Sequence, residues 1–519
     1  MKSWRGKFVW VLPTIVVLVA VSLLFSHNYQ EVTEQPDENW SRALDIGTTP
    51  VLRAPSVGIG EGSPSVSFLT KEGIQQNIYN EQFEVKEQNS YDIPVDKFTQ
   101  FYLGENKVIY TDYYSMYDQE TGNKITDLQA FYPLETMAFY RNEDKIYSFD
   151  VEESNSEELL PLENPKASVH MTETEAGTYL LTDEVTSSGN LLSYYQVENN
   201  NINPLGEATF SVKESEQVND IQFATKEDSY QLLVTTIQKQ SQSGKIQNHY
   251  YYAEAPFGEN PNLNKVNFKD PYSTDELKEI SDLSIHNTDN GPVLLFKANG
   301  WTDTLFRPGP QFNIYQATIS EGTSTTITRL SNTPSFSNFP VRINDQTVLW
   351  VDHGGKDHNL LLTSSKIEVI ERADQITKQG LLLASGKTIG MLSSGLFALI
   401  ISTFWFLWPL LFMIFIMFSK ADALDQDRSW VLYTGILIYL VAAIVARDPM
   451  FSDALLARAP DYLSFPGSPI LFLLGFAGIA YGILKTGARS KDWSNPIQLT
   501  YFIGMHILFI TVFFGPYLM

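Results

Sequence analysis

Residues 347–363 read TVLWVDHGGKDHNLLLT, and their reading decides the fold of this chain. Two apolar runs of strand length, 347–352 and 359–363, flank a polar segment. The pair Gly354-Gly355 inside that segment is a hairpin-turn signal. The same phrase recurs upstream. First strands are expected at 65–70, 108–112, 137–141, 178–183, 230–236 and 292–298, and second strands at 76–79, 145–149, 191–197, 247–254 and 312–319. Turns rich in Glu, Asn and Gly, at 120–123, 198–201 and 320–322, close several of them.

This makes seven units at intervals of roughly 30 to 60 residues, which is blade spacing. One blade cannot cover both faces of its own sheet, whereas a radial stack covers them and leaves only short edges. The expectation is an all-β domain built as a seven-bladed β-propeller, with an eight-bladed ring or two β domains as alternatives. The strand near 65–70 is expected to meet the last strands, near 360–383, and the run 381–384 is a candidate extra closing strand. A capping-box pair, Ser273 and Glu276 before Leu277 and Ile280, predicts one or two helical turns inside the fifth unit.

Outside the repeats the pattern changes. Uncharged apolar runs lie at 8–25, 389–418, 430–446, 469–484 and 497–518. At 1.5 Å per residue each is near or above the length that crosses about 30 Å of hydrocarbon, 469–484 being the shortest. The organisation is therefore an N-terminal anchor at 1–25, a linker at 26–62, the β domain at 63–387 and four transmembrane helices at 388–519. Pro409 should kink the second span. The apolar outer segment 447–468 is expected to lie in the membrane interface or to dock under the large domain.

Orientation follows from short positive flanks. Lys2, Arg5 and Lys7 precede the first run, and Glu31, Glu34, Asp37 and Glu38 follow it. The N-terminus is expected in the cytoplasm, with the large domain and the C-terminus outside a plasma membrane. The first run also has a small-residue cleavage pattern at Ala20-Val21-Ser22, so a cleaved signal peptide is the alternative to an uncleaved anchor.

The chain carries a formal charge of −24. Residues 1–25 contribute +3 and residues 388–519 hold seven charges of each sign, which leaves −27 on 26–387. Such a surface repels nucleic acid and anionic lipid. There is no cysteine, which excludes disulfides, thiol nucleophiles, thiolate metal sites and a lipoprotein anchor. A cysteine-free external domain of this size fits a bacterial envelope.

The turn Asp352–His358 concentrates two His and two Asp, but a hairpin turn must be polar in any case, and no metal or cofactor is expected there. The segment Gly300–Phe312 offers Trp301, Phe306 and Arg307 as candidate partner-binding anchors. Tyr113-Tyr114 and Tyr250-Tyr251-Tyr252 suit either sugar stacking or plain strand packing. Asp422, Asp425 and Asp427 lie on an inner loop without the pattern of a calcium site. His506 is the ionisable side chain well inside a span and is a candidate intramembrane polar site. Small residues Gly475, Gly478 and Gly482 suit close helix packing.

No catalytic constellation emerges from the sequence. The function expected is a membrane-anchored extracytoplasmic binding or scaffold protein of the cell envelope, with a membrane or envelope protein as partner. The alternatives are an accessory subunit of a transport or export complex and a propeller-based extracytoplasmic hydrolase or lyase.

Overall fold

A computed structural model describes residues 8–60, 63–174, 176–198, 200–226, 228–239, 247–288, 291–320, 324–486 and 492–518. The basic residues Lys2, Arg5, Lys7, Arg489 and Lys491 lie outside the described residues. So do Asn199, Glu321 and Gly322 of the predicted turns, and Met519. Two compact units are present. One comprises Gln35–Thr302 and Gly309–Gln375; the other comprises the described parts of Met1–Glu34, Asp303–Pro308 and Ile376–Met519.

The first unit is a seven-bladed β-propeller. Its seven antiparallel sheets have four strands each and span residues 56–92, 100–127, 130–161, 168–210, 216–266, 278–329, and 337–364 joined by Leu44–Thr49. In the first six sheets the strands pair in chain order. The strands read from the sequence are the two middle strands of these blades, caught in phase. Their continuous apolar runs have a physical cause, because successive residues of a middle strand face opposite neighbours. Leu180 packs toward sheet three and Leu181 toward sheet five. Leu232 packs toward sheet four and Leu233 toward sheet six. Leu294 packs toward sheet five and Leu295 toward sheet seven.

Each neighbouring pair of sheets has its own apolar cluster. Leu69 and Val108 join sheets one and two, and Met116 and Tyr140 join two and three. Trp350 and Ile314 join six and seven. The ring closes where Leu349, Val351 and Leu360 of sheet seven meet Val66 and Phe68 of sheet one.

The closing strand is not the one expected. Leu44–Thr49, inside the predicted linker, pairs with His358–Ser364, with Leu44 opposite Leu362 and Thr48 opposite Asn359. Ser41 anchors its start: its backbone N–H donates to Ser364 O (2.9 Å) and its Oγ accepts from Ser364 N (3.0 Å). The strand Ser63–Leu69 sits instead in sheet one, between Ser56–Gly60 and Gly73–Tyr79. The run 381–384 belongs to the helix Lys378–Gly395, whose start is capped by Thr377 Oγ1 accepting from Gly380 N (3.0 Å). The predicted helix at 273–280 is a turn followed by strand. Leu277 N donates to Phe268 O (2.9 Å), and Leu277 and Ile280 are buried in the cluster between sheets five and six. Extended pairing there outweighs the local capping signal.

The second unit holds the candidate membrane spans Val9–Val32, Lys378–Ser419, Ser468–Thr486 and Asn495–Tyr517, with the shorter apolar helix Ser429–Val445. The N-terminal helix continues into the predicted linker as far as Val32. The 42-residue segment Lys378–Ser419 consists of two helices separated at Leu396, and it is about twice as long as a bilayer core requires. Pro409 is accommodated inside Phe397–Ser419. Trp405 Nε1 donates to Ala446 O (2.9 Å), tying that helix to the end of Ser429–Val445. The apolar residues Met450, Phe451, Leu455 and Leu463 of segment 447–468 are buried in the core of this helical unit.

Candidate functional site

The turn at 352–358 disperses its metal-capable side chains. Asp352 ends the strand Thr347–Asp352 and points inward, where its Oδ1 accepts from Trp350 Nε1 (2.8 Å) and Ser337 Oγ (2.8 Å). Burial pushes its carboxyl up to about 6, against the hydrogen bonds from Thr333, Ser337 and Trp350. Asp357 faces solvent and pairs with Lys71 (2.9 Å), which holds its carboxyl below the usual range. His353 Nδ1 accepts from Gly355 N and His358 Nδ1 from Gly354 N, so the turn's own backbone uses both rings. Among the described residues no three metal-ligating side chains converge.

The loop anchors also separate. Gly300–Thr302 and Gly309–Phe312 continue the two middle strands of sheet six, which leaves Asp303–Pro308 as the loop. Trp301 is on the strand, with its N–H donating to Asp270 Oδ2 (2.8 Å) and its carbonyl accepting from Arg329 Nη1 (2.7 Å). Its indole is 38% exposed. Phe306 and Arg307 belong to the helical unit. The Arg307 guanidinium lies over the Phe306 ring at 5.9 Å, and that ring covers Gly390, where an added Cβ would sit 3.0 Å from it. Phe306 is therefore anchored on a helix of this chain.

The two tyrosine runs have different fates. Tyr250 and Tyr252 fill the interface of sheets five and six, and Tyr251 the interface of sheets four and five, where its hydroxyl donates to the buried Glu216 (2.9 Å). Tyr113 and Tyr114 are exposed, at 56% and 68%. They extend an aromatic chain that begins at Phe98, with centroids 4.8 Å apart from Phe98 to Tyr113 and 4.6 Å from Tyr113 to Tyr114. Asp112 Oδ1 accepts from Tyr114 N and Ser115 N, and Asp96 Oδ1 accepts from Phe98 N and Thr99 N. Both turns are thereby fixed from within. The Arg53 guanidinium donates to Lys97 O and Thr99 O, clamping the segment that carries Phe98. A pocket of about 360 Å³ opens beside it, lined by Thr49, Arg53, Ser56, Thr99, Gln100 and Phe101 among others.

In the helical unit His506 is fully buried. Its Nε2 donates to Leu473 O (2.9 Å), so its Nδ1 accepts from Tyr439 OH (2.7 Å). One imidazole thus joins Ser429–Val445, Ser468–Thr486 and Asn495–Phe514. Asp427 Oδ1 accepts from Asn495 N (2.9 Å) and holds the start of the last helix.

Two polar arrangements went unread in the sequence. Lys387, with its side chain 4% exposed, meets Glu31 Oε2 at 2.8 Å and donates to Asp303 O; beside it Asn28 Nδ2 donates to Thr388 Oγ1 (2.9 Å). The helices extend past their apolar runs, and this placed both charges outside the expected spans. Ser284 and His286 stand on the first strand of sheet six with Oγ and Nε2 2.8 Å apart. Burial and the charge of Arg342 push the His286 imidazole down to about 4. No carboxylate reaches its Nδ1 among the described residues, so the pair lacks the orienting group of a hydrolytic triad.

No known protein family and no curated protein matches the chain. Similar solved structures include the Pan2 WD40 domain of Neurospora crassa, 9% identical over 63% of this chain and 96% of that one, with a TM-score of 0.32. TolB from Acinetobacter baumannii is 11% identical over 57% of this chain and 79% of that one, at 0.28. BBS1N, solved in complex with ARL6DN, is 8% identical over 62% and 96%, at 0.29. Likenesses at these scores carry no argument about function; the propeller rests on its own strand pairing.

Proposed function

We propose that this protein is a membrane-anchored binding or scaffold protein of a bacterial cell envelope. Its propeller would lie outside the plasma membrane, with the N-terminus in the cytoplasm and the C-terminus outside. The observation that carries the reading is the ring itself. Seven filled interfaces make a rigid body whose loops are free to vary, and one pair of internally fixed turns presents exposed aromatic rings. The positive flank and acidic domain support the orientation. The partner is a membrane or envelope protein, or a wall component, and not nucleic acid.

A second reading, an accessory subunit of a transport or export complex, has one observation in its favour. Gly475, Gly478 and Gly482 have nothing within 4 Å of an added Cβ, so among the described residues no other helix packs closely on them. A partner helix fits such a face.

Protease added to spheroplasts should cut the propeller while a cytoplasmic control stays intact; protection of the propeller overturns the orientation. Pull-down from detergent-solubilised membranes should recover an envelope protein. Loss of that protein on substituting Gly475, Gly478 and Gly482 with Leu would select the accessory-subunit reading.

A further inference from the structure

We infer that the face built from Phe98, Tyr113, Tyr114 and the adjoining pocket binds a neutral oligosaccharide of β-linked, glucose-type pyranose rings. The inference rests on the binding-protein reading above and names its ligand class.

Three large rings are exposed together, at 40%, 56% and 68%, and each touches the next; Tyr272, Trp301 and Phe336 are exposed elsewhere on the domain, and most of its other aromatics are buried in sheet interfaces. Such exposure is costly in water unless something covers it. The backbone that carries the rings is also held still. Asp96 and Asp112 fix the two turns, and Arg53 clamps the carbonyls on both sides of Phe98. Turns that are already fixed need not be ordered on binding, which removes that part of the entropic cost.

The chemistry of the occupant follows from three features. Residues 26–387 carry −27, which disfavours nucleic acid, anionic lipid and polyanionic glycans. The rings are interleaved with hydrogen-bonding groups, since the Tyr113 and Tyr114 hydroxyls accompany their own faces. The pocket beside the same segment, lined by its residues 99–101, offers groups that both donate and accept, namely Ser56 and Gln100. A pyranose with equatorial hydroxyls matches this set. Its C–H face lies on an aromatic ring while its rim of hydroxyls donates and accepts. A proline-rich peptide would supply an apolar face and carbonyl acceptors only, leaving the donor–acceptor pairs half used.

The test titrates cellohexaose and chitohexaose into the full chain, purified in a detergent without a sugar head group, and reads binding by calorimetry. One of the two should bind. Tyr113→Ala/Tyr114→Ala should weaken it about tenfold, Tyr114→Phe should lose less, and thermal melting should show that the fold is kept. Gln100→Ala should weaken binding with the platform intact. No heat from either sugar overturns the inference, as does binding that neither Tyr113→Ala/Tyr114→Ala nor Gln100→Ala changes. A proline-rich hexapeptide bound more tightly than either sugar assigns the face to peptide and overturns it too. The titration does not depend on membrane orientation. Its failure with a protease-accessible propeller removes only the ligand class, whereas a protected propeller removes the envelope reading whatever the titration gives.

Discussion

Leu232 and Leu233 are neighbours in one strand, yet one packs toward sheet four and the other toward sheet six. In the propeller the apolar residues do the joining, and they do it seven times over. In the helical unit apolar residues cover much of the outside, as at Phe404, Phe415 and Leu437, and the buried polar groups carry the specific links. There His506 joins three helices, and Lys387 joins the helix Phe8–Val32 to Lys378–Gly395 and to Asp303. The lesson is that the two units should fail differently. Breaking the propeller means opening its ring, whereas breaking the helical unit means stranding a polar group.

The largest effect is expected from the closing strand. Replacing residues 44–49 with a Gly-Ser sequence of equal length removes the pairing to His358–Ser364. About five ladder hydrogen bonds at about 1 kcal/mol each are lost along with Leu44 and Ile46 packing. Limited proteolysis should degrade the propeller while the helical unit survives. Equal loss of both would blur the contrast between the units.

Next comes Lys387→Ala, which leaves Glu31 facing a site built for a cation. Removing one partner of a largely buried pair costs about 3 kcal/mol. Glu31→Gln/Lys387→Met should recover much of it in detergent melts. A single variant as stable as the parent would show that the pair is not a link at all.

Asp352 sharpens the comparison from the propeller side, where it is a buried carboxyl among apolar interfaces, as are Asp183, Glu216 and Asp270. Its folded-state value of about 6 lies above its ordinary one, near 4. Between those values the folded chain keeps a proton that the unfolded chain has released. Stability from this group is therefore highest below about pH 4 and falls by about 2 to 3 kcal/mol as pH rises through about 6. Asp352→Asn should erase that slope when its urea melts at several pH values are subtracted from the parent's. Identical slopes would contradict the burial.

The smallest effect is expected from His506→Leu. Hydrogen bonds between membrane helices contribute about 1 kcal/mol, so insertion should persist and the melt should shift slightly, with Tyr439→Phe smaller still. A collapse in abundance would mean that the imidazole does more than link helices.

The sequence was most legible where burial was most complete. Thr347–Asp352 is buried along its whole length and declares itself as a continuous apolar run. Val85–Asp92, the last strand of sheet one, is largely exposed and reads as polar loop. Leu44–Thr49 was hidden for the same reason, since its pattern LDIGTT is half-exposed, broken by a bulge at Ile46 and far in sequence from its partner. Site residues were harder to read than strands. Tyr113-Tyr114 and Tyr250–Tyr252 look alike in sequence, and only the sheet stacking separates an exposed pair from a buried one. Phe98 was missed because its value comes from lying 4.8 Å from Tyr113, fifteen positions along the chain. Lys387 and Glu31 were missed because their apolar runs end before their helices do.

The central claim is a ring of seven sheets closed without covalent help by a strand from the N-terminal side. Because the chain has no cysteine, a pair of introduced thiols reports on it without background. Thr48→Cys/Asn359→Cys places the thiols directly opposite each other in sheet seven. Mild oxidation should join residues 48 and 359 rapidly and in nearly every molecule, while Ser65→Cys/Asn359→Cys, with the thiols in different sheets, should stay reduced. Cross-linking of the 65/359 pair with the 48/359 pair left unjoined would show that the ring is not closed this way.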